Sequence, residues 1–300
     1  MIPASAPASD AAPPRAAVPA AGRLAPLRRL LRDPIGLLGV VLVTVVVLVA
    51  IFADWIEPYD PLHLVIHDRL APPSWAHWLG TDQLGRDLLS RVIKGSQFAL
   101  TLGVSATGLA LVGGVLLGLI AGYGPRWLDS LLLLLFDATL AFPIIMLALA
   151  VIALFGPSLG TVLGLIVAVT IPRYARVVRT GTQGAKGTDY VLAERALGAR
   201  APRILFVHIL PNVIGPLLII ASMDIPSVIT LEAGLSFLGL GVPPPAPSWG
   251  RMLNEGYNFI RDTPWIVVSG GLPLIATTLG FTFLGEALRD LIDPRLRRSR

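Results

Sequence analysis

Six stretches of this chain are long, apolar and almost uncharged, most of them at or above the roughly 20 residues with which a helix crosses about 30 Å of hydrocarbon. They run from Pro34 to Ala53, Gln97 to Gly124, Leu128 to Phe155, Leu159 to about Pro172, Val213 to Leu231 and Pro264 to Gly285. Backbone in lipid must satisfy its own N–H and C=O groups, and a helix does so within one segment. The pattern predicts an all-α integral membrane protein with about six transmembrane helices in contact with lipid. Composition agrees: 14% of residues are charged, against about 25% in a soluble protein. The chain has no cysteine, which excludes disulfides, thiolate catalysis and cysteine-ligated metal sites.

The basic residues sit beside the apolar stretches rather than in one patch, so the net charge of +5 is read as topology and not as nucleic-acid binding. If the six spans alternate, 18 of the 24 Lys and Arg residues fall on one side. Lys and Arg are retained in the cytoplasm, so that side, with both termini, is expected to be cytoplasmic. In the second stretch, Gly103, Gly108, Gly113, Gly114 and Gly118 predict close helix packing.

Between the fourth and fifth stretches the apolar pattern breaks at "DYVLAERALGARAPRILFVHILPN", Asp189 to Asn212. Asp189 is expected to cap a helix beginning at Tyr190. Gly198 stands where a left-handed residue closes it. Pro202 suits the first position of a second helix, and Pro211 is expected to end that helix. The second segment is apolar, while Glu194, Arg195, Arg200 and Arg203 supply charge. By spacing alone this is either a helix resting on the membrane surface or one that docks on a partner.

At this point the residues resemble a known family. "LAERALGARAPRILFVHILPN" is similar to the cytoplasmic EAA loop of bacterial ABC importer permeases, with Ala193, Gly198, Leu210 and Pro211 at matching positions. It departs from that consensus at Leu192, where Glu is usual, with Glu194 two residues later, and at His208, where Ile is usual. "DPIGLLGVVLV", "HWLGTDQLGRDLLSRVIKGSQFAL", "AGYGPRWLD", "FDATLAFP" and "GLSFLGLGVPPPAPSWGRML" resemble the C-type subunit of the dipeptide, oligopeptide and nickel branch, and the likeness runs from about Arg28 to Pro294.

The resemblance implies a type I importer fold, with a cytoplasmic coupling helix between spans four and five. It implies a second homologous permease subunit, two cytoplasmic ATPase subunits that use ATP and Mg, and an extracytoplasmic binding protein. The loop residues Ala193, Glu194, Gly198, Leu210 and Pro211 would meet the ATPase, and no cofactor would be bound by this chain. The expected organisation is a disordered tail at 1–25, an N-terminal transmembrane helix and extracytoplasmic segment at 26–95, the transporter domain at 96–288 and a basic tail at 289–300. The expected location is a bacterial cytoplasmic membrane and the expected cargo a di- or oligopeptide, with nickel or another small solute as alternatives.

Acidic residues inside spans are costly and usually face protein or a water-filled cavity. Asp137, Asp224 and Glu232 are therefore candidates to line a pathway or to link helices through polar contacts. His63, His67 and His77 lack a third-ligand pattern and read as solvated loop histidines rather than a metal site. "GTDQLGRDLLSRV" reads as a capped amphipathic helix with Leu84, Leu88, Leu89 and Val92 inward and Arg86, Asp87 and Arg91 outward. It would brace the spans or meet a binding protein. "GTQGAKGT" has Lys-Gly-Thr where a phosphate-binding loop needs Gly-Lys-Thr. An ion-coupled transporter or a channel is the rival reading, but a single set of spans without an inverted repeat gives it no positive support. No HExxH or GxSxG occurs to favour a membrane enzyme.

Overall fold

A computed structural model describes residues 33–292. The expected tail at 1–25 and the end of the chain beyond 292 lie outside those residues. The described elements are helical: α1 (Pro34–Ile51), the short α2 (Ala53–Ile56), α3 (Leu88–Tyr123), α4 (Arg126–Ala141), α5 (Ile144–Phe155), α6 (Leu159–Lys186), α7 (Asp189–Ala196), α8 (Ala201–Phe237), α9 (Trp249–Tyr257) and α10 (Trp265–Ile292). Five of them, α1, α3, α6, α8 and α10, are individually long and apolar enough to cross a membrane.

The third expected span is two helices. Phe142, held extended at φ −84°, ψ 134° by the following proline, separates α4 from α5, which are bent by 96°. The pair nevertheless carries the chain across. A Cβ on Gly114 would meet Tyr174, one on Gly118 would meet Val178 and one on Gly122 would meet Thr182. These contacts advance together along α3 and α6, so the two helices are parallel, and α4 with α5 must return the chain between them. The same reasoning makes α8 antiparallel to α6, because Gly181 meets Val213 while Arg173 meets Asp224. It also makes α10 antiparallel to α1, where Gly39 meets Leu284 and Gly280 meets Leu42. The start of α1, the end of α10 and α7 therefore share one side, called here the coupling side.

Three expected boundaries shift. The fourth span does not stop near Pro172 but continues to Lys186. Proline in a helix interior costs about 3 kcal/mol, and packing along the glycine face of α3 outweighs it. Pro211 does not end a helix either. The backbone widens into a π-helix over Ile204–Ile209, where Leu210 N–H donates to the Leu205 carbonyl, and α8 continues to Phe237. The wide turn accommodates a ring that would otherwise crowd the carbonyl one turn back. Finally, α3 begins at Leu88 and runs through residues 95 and 96 without a break, where the N-terminal and transporter segments were expected to divide.

Among the glycines singled out, Gly108 faces open space. Gly103 and Gly113 lie close to the Ile229 and Ile171 side chains, and the tightest approach to backbone is made by Gly114, Gly118 and also Gly122, four residues apart on one face of α3. A Cβ at Gly118 would lie 2.6 Å from both the Ala175 carbonyl oxygen and Val178 Cβ. Gly118→Leu is expected to destabilise by at least the ~1–3 kcal/mol of ordinary overpacking. The check is monodispersity and thermal melting in detergent, and a wild-type melting profile would contradict this packing.

Candidate functional site

The break in the apolar pattern folds into α7, a turn, and the first part of α8. Thr188 is the N-cap of α7 and Asp189 is its first residue, in place of the expected Asp189 cap. The Thr188 hydroxyl donates to the Ala185 carbonyl at 2.7 Å, so α7 begins without a side-chain cap, and the Asp189 carboxylate acts on the helix dipole from the first turn. At the other end Gly198 has φ +80°. Its N–H donates to the Arg195 carbonyl and that of Ala199 to the Glu194 carbonyl, both at 3.0 Å. This pair of bonds is the Schellman closure. Pro202 stands in the first turn of α8, where its missing N–H costs nothing.

Val191, Ile204 and Ile209 are fully buried in one cluster with Val115 and Leu119 of α3, Tyr174 and Val178 of α6, and Leu217 of α8. The segment is thereby seated on the coupling-side ends of three spans. Its opposite face keeps apolar groups in solvent: Leu197 is 83% exposed and Val207 58%, with Leu192 and Phe206 each about half exposed. Two residues that depart from the EAA consensus meet across the turn, with His208 Nε2 3.3 Å from Glu194 Oε1. They are 14 positions apart, and only the fold of the Gly198 turn brings them together. The Arg195 guanidinium lies over the Tyr123 ring at 5.0 Å, tying α7 to the end of α3, and Lys186 Nζ of α6 donates to the Tyr123 carbonyl at 2.9 Å. The "GTQGAKGT" stretch is helical from Gly181 to Lys186, so it forms no phosphate-cradling loop.

Within the bundle, three arginines at three-residue intervals on α6 pair with three aspartates. Arg179 binds Asp129 of α4 with two bonds, Nε to Oδ1 at 2.5 Å and Nη2 to Oδ2 at 2.7 Å. Arg176 donates through Nη2 to Asp137 of α4, and Arg173 through Nη1 to the buried Asp224 of α8. Asp224 also faces the buried Tyr174 hydroxyl, a second polar neighbour for its carboxylate beside Arg173. Arg173, Arg176 and Asp224 line a cavity of about 390 Å³ together with Leu140, Thr170 and Ser227. Glu232 lies elsewhere, buried near the far end of α8, where it accepts from Ser236 Oγ at 2.6 Å and Ser248 Oγ at 2.9 Å. It links α8 to the loop that leads into α9.

On the side away from α7, "GTDQLGRDLLSRV" is built differently from the expected amphipathic helix. Asp87 is the N-cap of α3, accepting from Ser90 N–H at 2.8 Å. Arg86, Asp87 and Arg91 are buried while Leu84 is exposed. Asp82 accepts from Arg86 Nε at 2.6 Å and also from Arg91. Glu255 of α9 accepts from Arg86 at 3.2 Å and Arg91 at 2.9 Å. Burial pushes the Glu255 carboxyl up, but Arg91, Gln83 and Arg86 outweigh it and hold it below the usual glutamate value. His77, expected to be solvated, is largely buried, with Nδ1 2.9 Å from Asp87 Oδ1. At helical spacing beside leucines, these charges resemble the solvated face of an amphipathic helix. Burial is set by the partner Glu255, which lies more than 160 positions away.

This arrangement, a docked helix–turn–helix at one end of a six-crossing bundle with paired charges inside, coincides with a sequence-family match. Residues 114–298, from the glycine face of α3 through α10, match the binding-protein-dependent transport system inner membrane component family. The chain belongs to that family. Residues 23–73 match a second description, the N-terminal transmembrane domain of oligopeptide transport permease C. This permease is 38% identical to the dipeptide transport system permease protein DppC of Alkalihalophilus pseudofirmus, covering 90% of this chain and 89% of that one. It is 40% identical to the di/tripeptide transport system permease protein DppC of Pseudomonas aeruginosa, covering 87% and 88%. To the glutathione transport system permease protein GsiD of Pectobacterium atrosepticum it is 38% identical, covering 90% of each chain. The family match contains the α7–turn–α8 segment, all three arginine–aspartate pairs of the permease and Glu255, whereas Asp82, Arg86 and Arg91 precede it.

Proposed function

We propose that this chain is the membrane-spanning subunit of an ATP-driven importer of di- or oligopeptides. It forms half of the translocation pathway beside a second homologous permease subunit. Two ATPase subunits dock on the coupling side, and a binding protein delivers cargo to the other. The observation that carries this reading is the α7–turn–α8 segment: buried residues seat it on the spans, and Leu197, Phe206 and Val207 are left for a partner to cover. The coupling side is cytoplasmic, because most of the cations fall there, so both termini lie in the cytoplasm. Catalysis is outside this chain, and ATP with Mg belongs to the ATPase pair. ATP-driven closure of that pair is transmitted through Gly198 to α6 and α8, because the two states offer the segment different contacts. The names of the relatives support a peptide cargo.

The test is reconstitution with the ATPase, second permease and binding-protein subunits that this reading calls for. Uptake of labelled dipeptide is expected only with both ATP and the binding protein. Uptake that follows an ion gradient without ATP would instead make the chain a secondary transporter, and ATP-driven uptake of nickel but not peptide would replace the cargo.

A further inference from the structure

Arg173 follows the uncharged stretch from Leu159 to Pro172 on α6, about 21 Å of helix at 1.5 Å per residue, which sets it toward the coupling-side end of a span that crosses about 30 Å of hydrocarbon. Its side chain is 60% exposed and that of Arg176 is 42% exposed. Exposed arginines at this depth do not face lipid, because intramembrane charges are tolerated against protein or water. This face of α6 therefore borders the pathway. The three arginines differ in how far they are satisfied. Arg179 spends two donors on Asp129, while among the described residues Arg173 and Arg176 each make one side-chain bond, leaving guanidinium donors directed at the cavity. Three residues apart on one helix, the two are neighbours, close enough to share a single planar anion. Guanidinium groups bind carboxylates through paired N–H donors. Asp224 holds Arg173 through Oδ1 alone and has the buried Tyr174 hydroxyl beside it as its other polar neighbour, so the Arg173 donors that Asp224 does not use are the ones that can take a third group. The volume of about 390 Å³ lies within the ~300–1,000 Å³ usual for small-molecule sites.

We propose that Arg173 and Arg176 form a carboxylate site on the pathway, taking the free C-terminal carboxylate of a passing short peptide in the cavity bounded by Asp224, Thr170 and Ser227. The identity of the ligand rests on the peptide reading given above. A zwitterion leaving the binding protein loses hydration for both its charges, and the arginine pair replaces part of that hydration at the inner half of the membrane. Asp224 keeps Arg173 extended toward the cavity when no peptide is present, and with Asp137 it limits the positive charge there. The site therefore holds a carboxylate without trapping it.

The chain has no cysteine, so a Ser227→Cys reporter on the cavity wall is labelled uniquely within it. The complete transporter, reconstituted without binding protein or nucleotide, is treated with a small maleimide, and modification at position 227 is read by mass spectrometry. A millimolar free dipeptide is expected to slow labelling at least threefold, and its C-terminally amidated analogue to leave it unchanged. Protection should vanish in Arg173→Gln/Arg176→Gln, with assembly and the unprotected labelling rate retained. Equal protection by the amidated peptide, or protection surviving the double substitution, overturns the site. So does full recovery of transport on swapping charges in Arg173→Asp/Asp224→Arg, which would make the pair a helix link alone. If acetate protects while the wild-type transporter takes up no peptide, the carboxylate site stands and the peptide cargo fails.

Discussion

Replacing Arg91 by methionine is expected to cost about 3 kcal/mol, the low end of the range for removing one member of a buried ion pair, because its two carboxylate partners keep other donors. Arg91 is 1% exposed, and it donates to both Asp82 and Glu255. Asp82 retains Arg86 Nε at 2.6 Å and the backbone amides of Leu84 and Arg86 at 2.8 and 3.0 Å. Glu255 keeps Arg251 at 2.9 Å and Arg86 at 3.2 Å. The loss is thus concentrated where α9 meets the start of α3. In melting experiments on detergent-purified protein this corresponds to a fall on the order of 10 °C, and a shift under 2 °C would make the cluster a solvated one. Both bonds leave from Arg91 Nη1, so Arg91→Lys, whose ammonium also carries several donors on one nitrogen but on a shorter stem, should recover part of the loss.

The same cluster has a pH signature whose sign is fixed. The Glu255 carboxyl is held below its ordinary 4.5, so the stability it contributes is complete above that value and is lost as pH falls through the depressed value. The gap in melting temperature between wild type and Arg91→Met should therefore be widest at neutral pH and narrow progressively under acid. A gap independent of pH between 7 and 3 would remove Glu255 from the network.

What the sequence disclosed follows the range of the interactions concerned. The spans were readable because lipid imposes a length and an apolar composition on every crossing, and the Gly198 turn was readable because a left-handed closure is a local backbone event. Pro143, Pro172 and Pro211 were not distinguishable in the same way. Each removes one N–H, but the first breaks a helix, the second is absorbed by packing on the α3 glycines, and the third is relieved by a π turn. Those outcomes depend on neighbours far along the chain. Asp137 and Asp224 stood out as intramembrane acids, while Arg173 and Arg176 were counted only as cations that set topology. Their pairing with the two aspartates emerges from the antiparallel register of α6 and α8 and the return of α4 beside α6. Glu194 and His208 each stood out as a departure from the EAA pattern, and their 3.3 Å approach is set by the turn between them.

Gly198→Val is expected to leave the transporter assembled and in the membrane while lowering ATP-driven uptake at least tenfold relative to ATP hydrolysis. A Cβ at this position meets nothing within 4 Å, so the substitution creates no clash with the spans, and its effect is confined to the backbone. At φ +80° a β-branched residue carries strain of about 1–3 kcal/mol. The turn relieves it by opening the bonds from Gly198 and Ala199 to the Arg195 and Glu194 carbonyls. Opening them also pulls Glu194 from His208 and lets α7 move independently of α8. The core seat made by Ile204, Ile209 and Leu217 is unaffected, which is why stability and assembly survive while transmission does not. The substitution series separates this cause from a simple gain in bulk. Asparagine tolerates the left-handed region, so Gly198→Asn should retain most coupling although it is larger than alanine. Alanine, smaller than either but strained, should fall between them. Coupling that ranks by side-chain volume rather than by left-handed tolerance would mean the exposed turn is read by direct contact with the ATPase and not by its backbone shape.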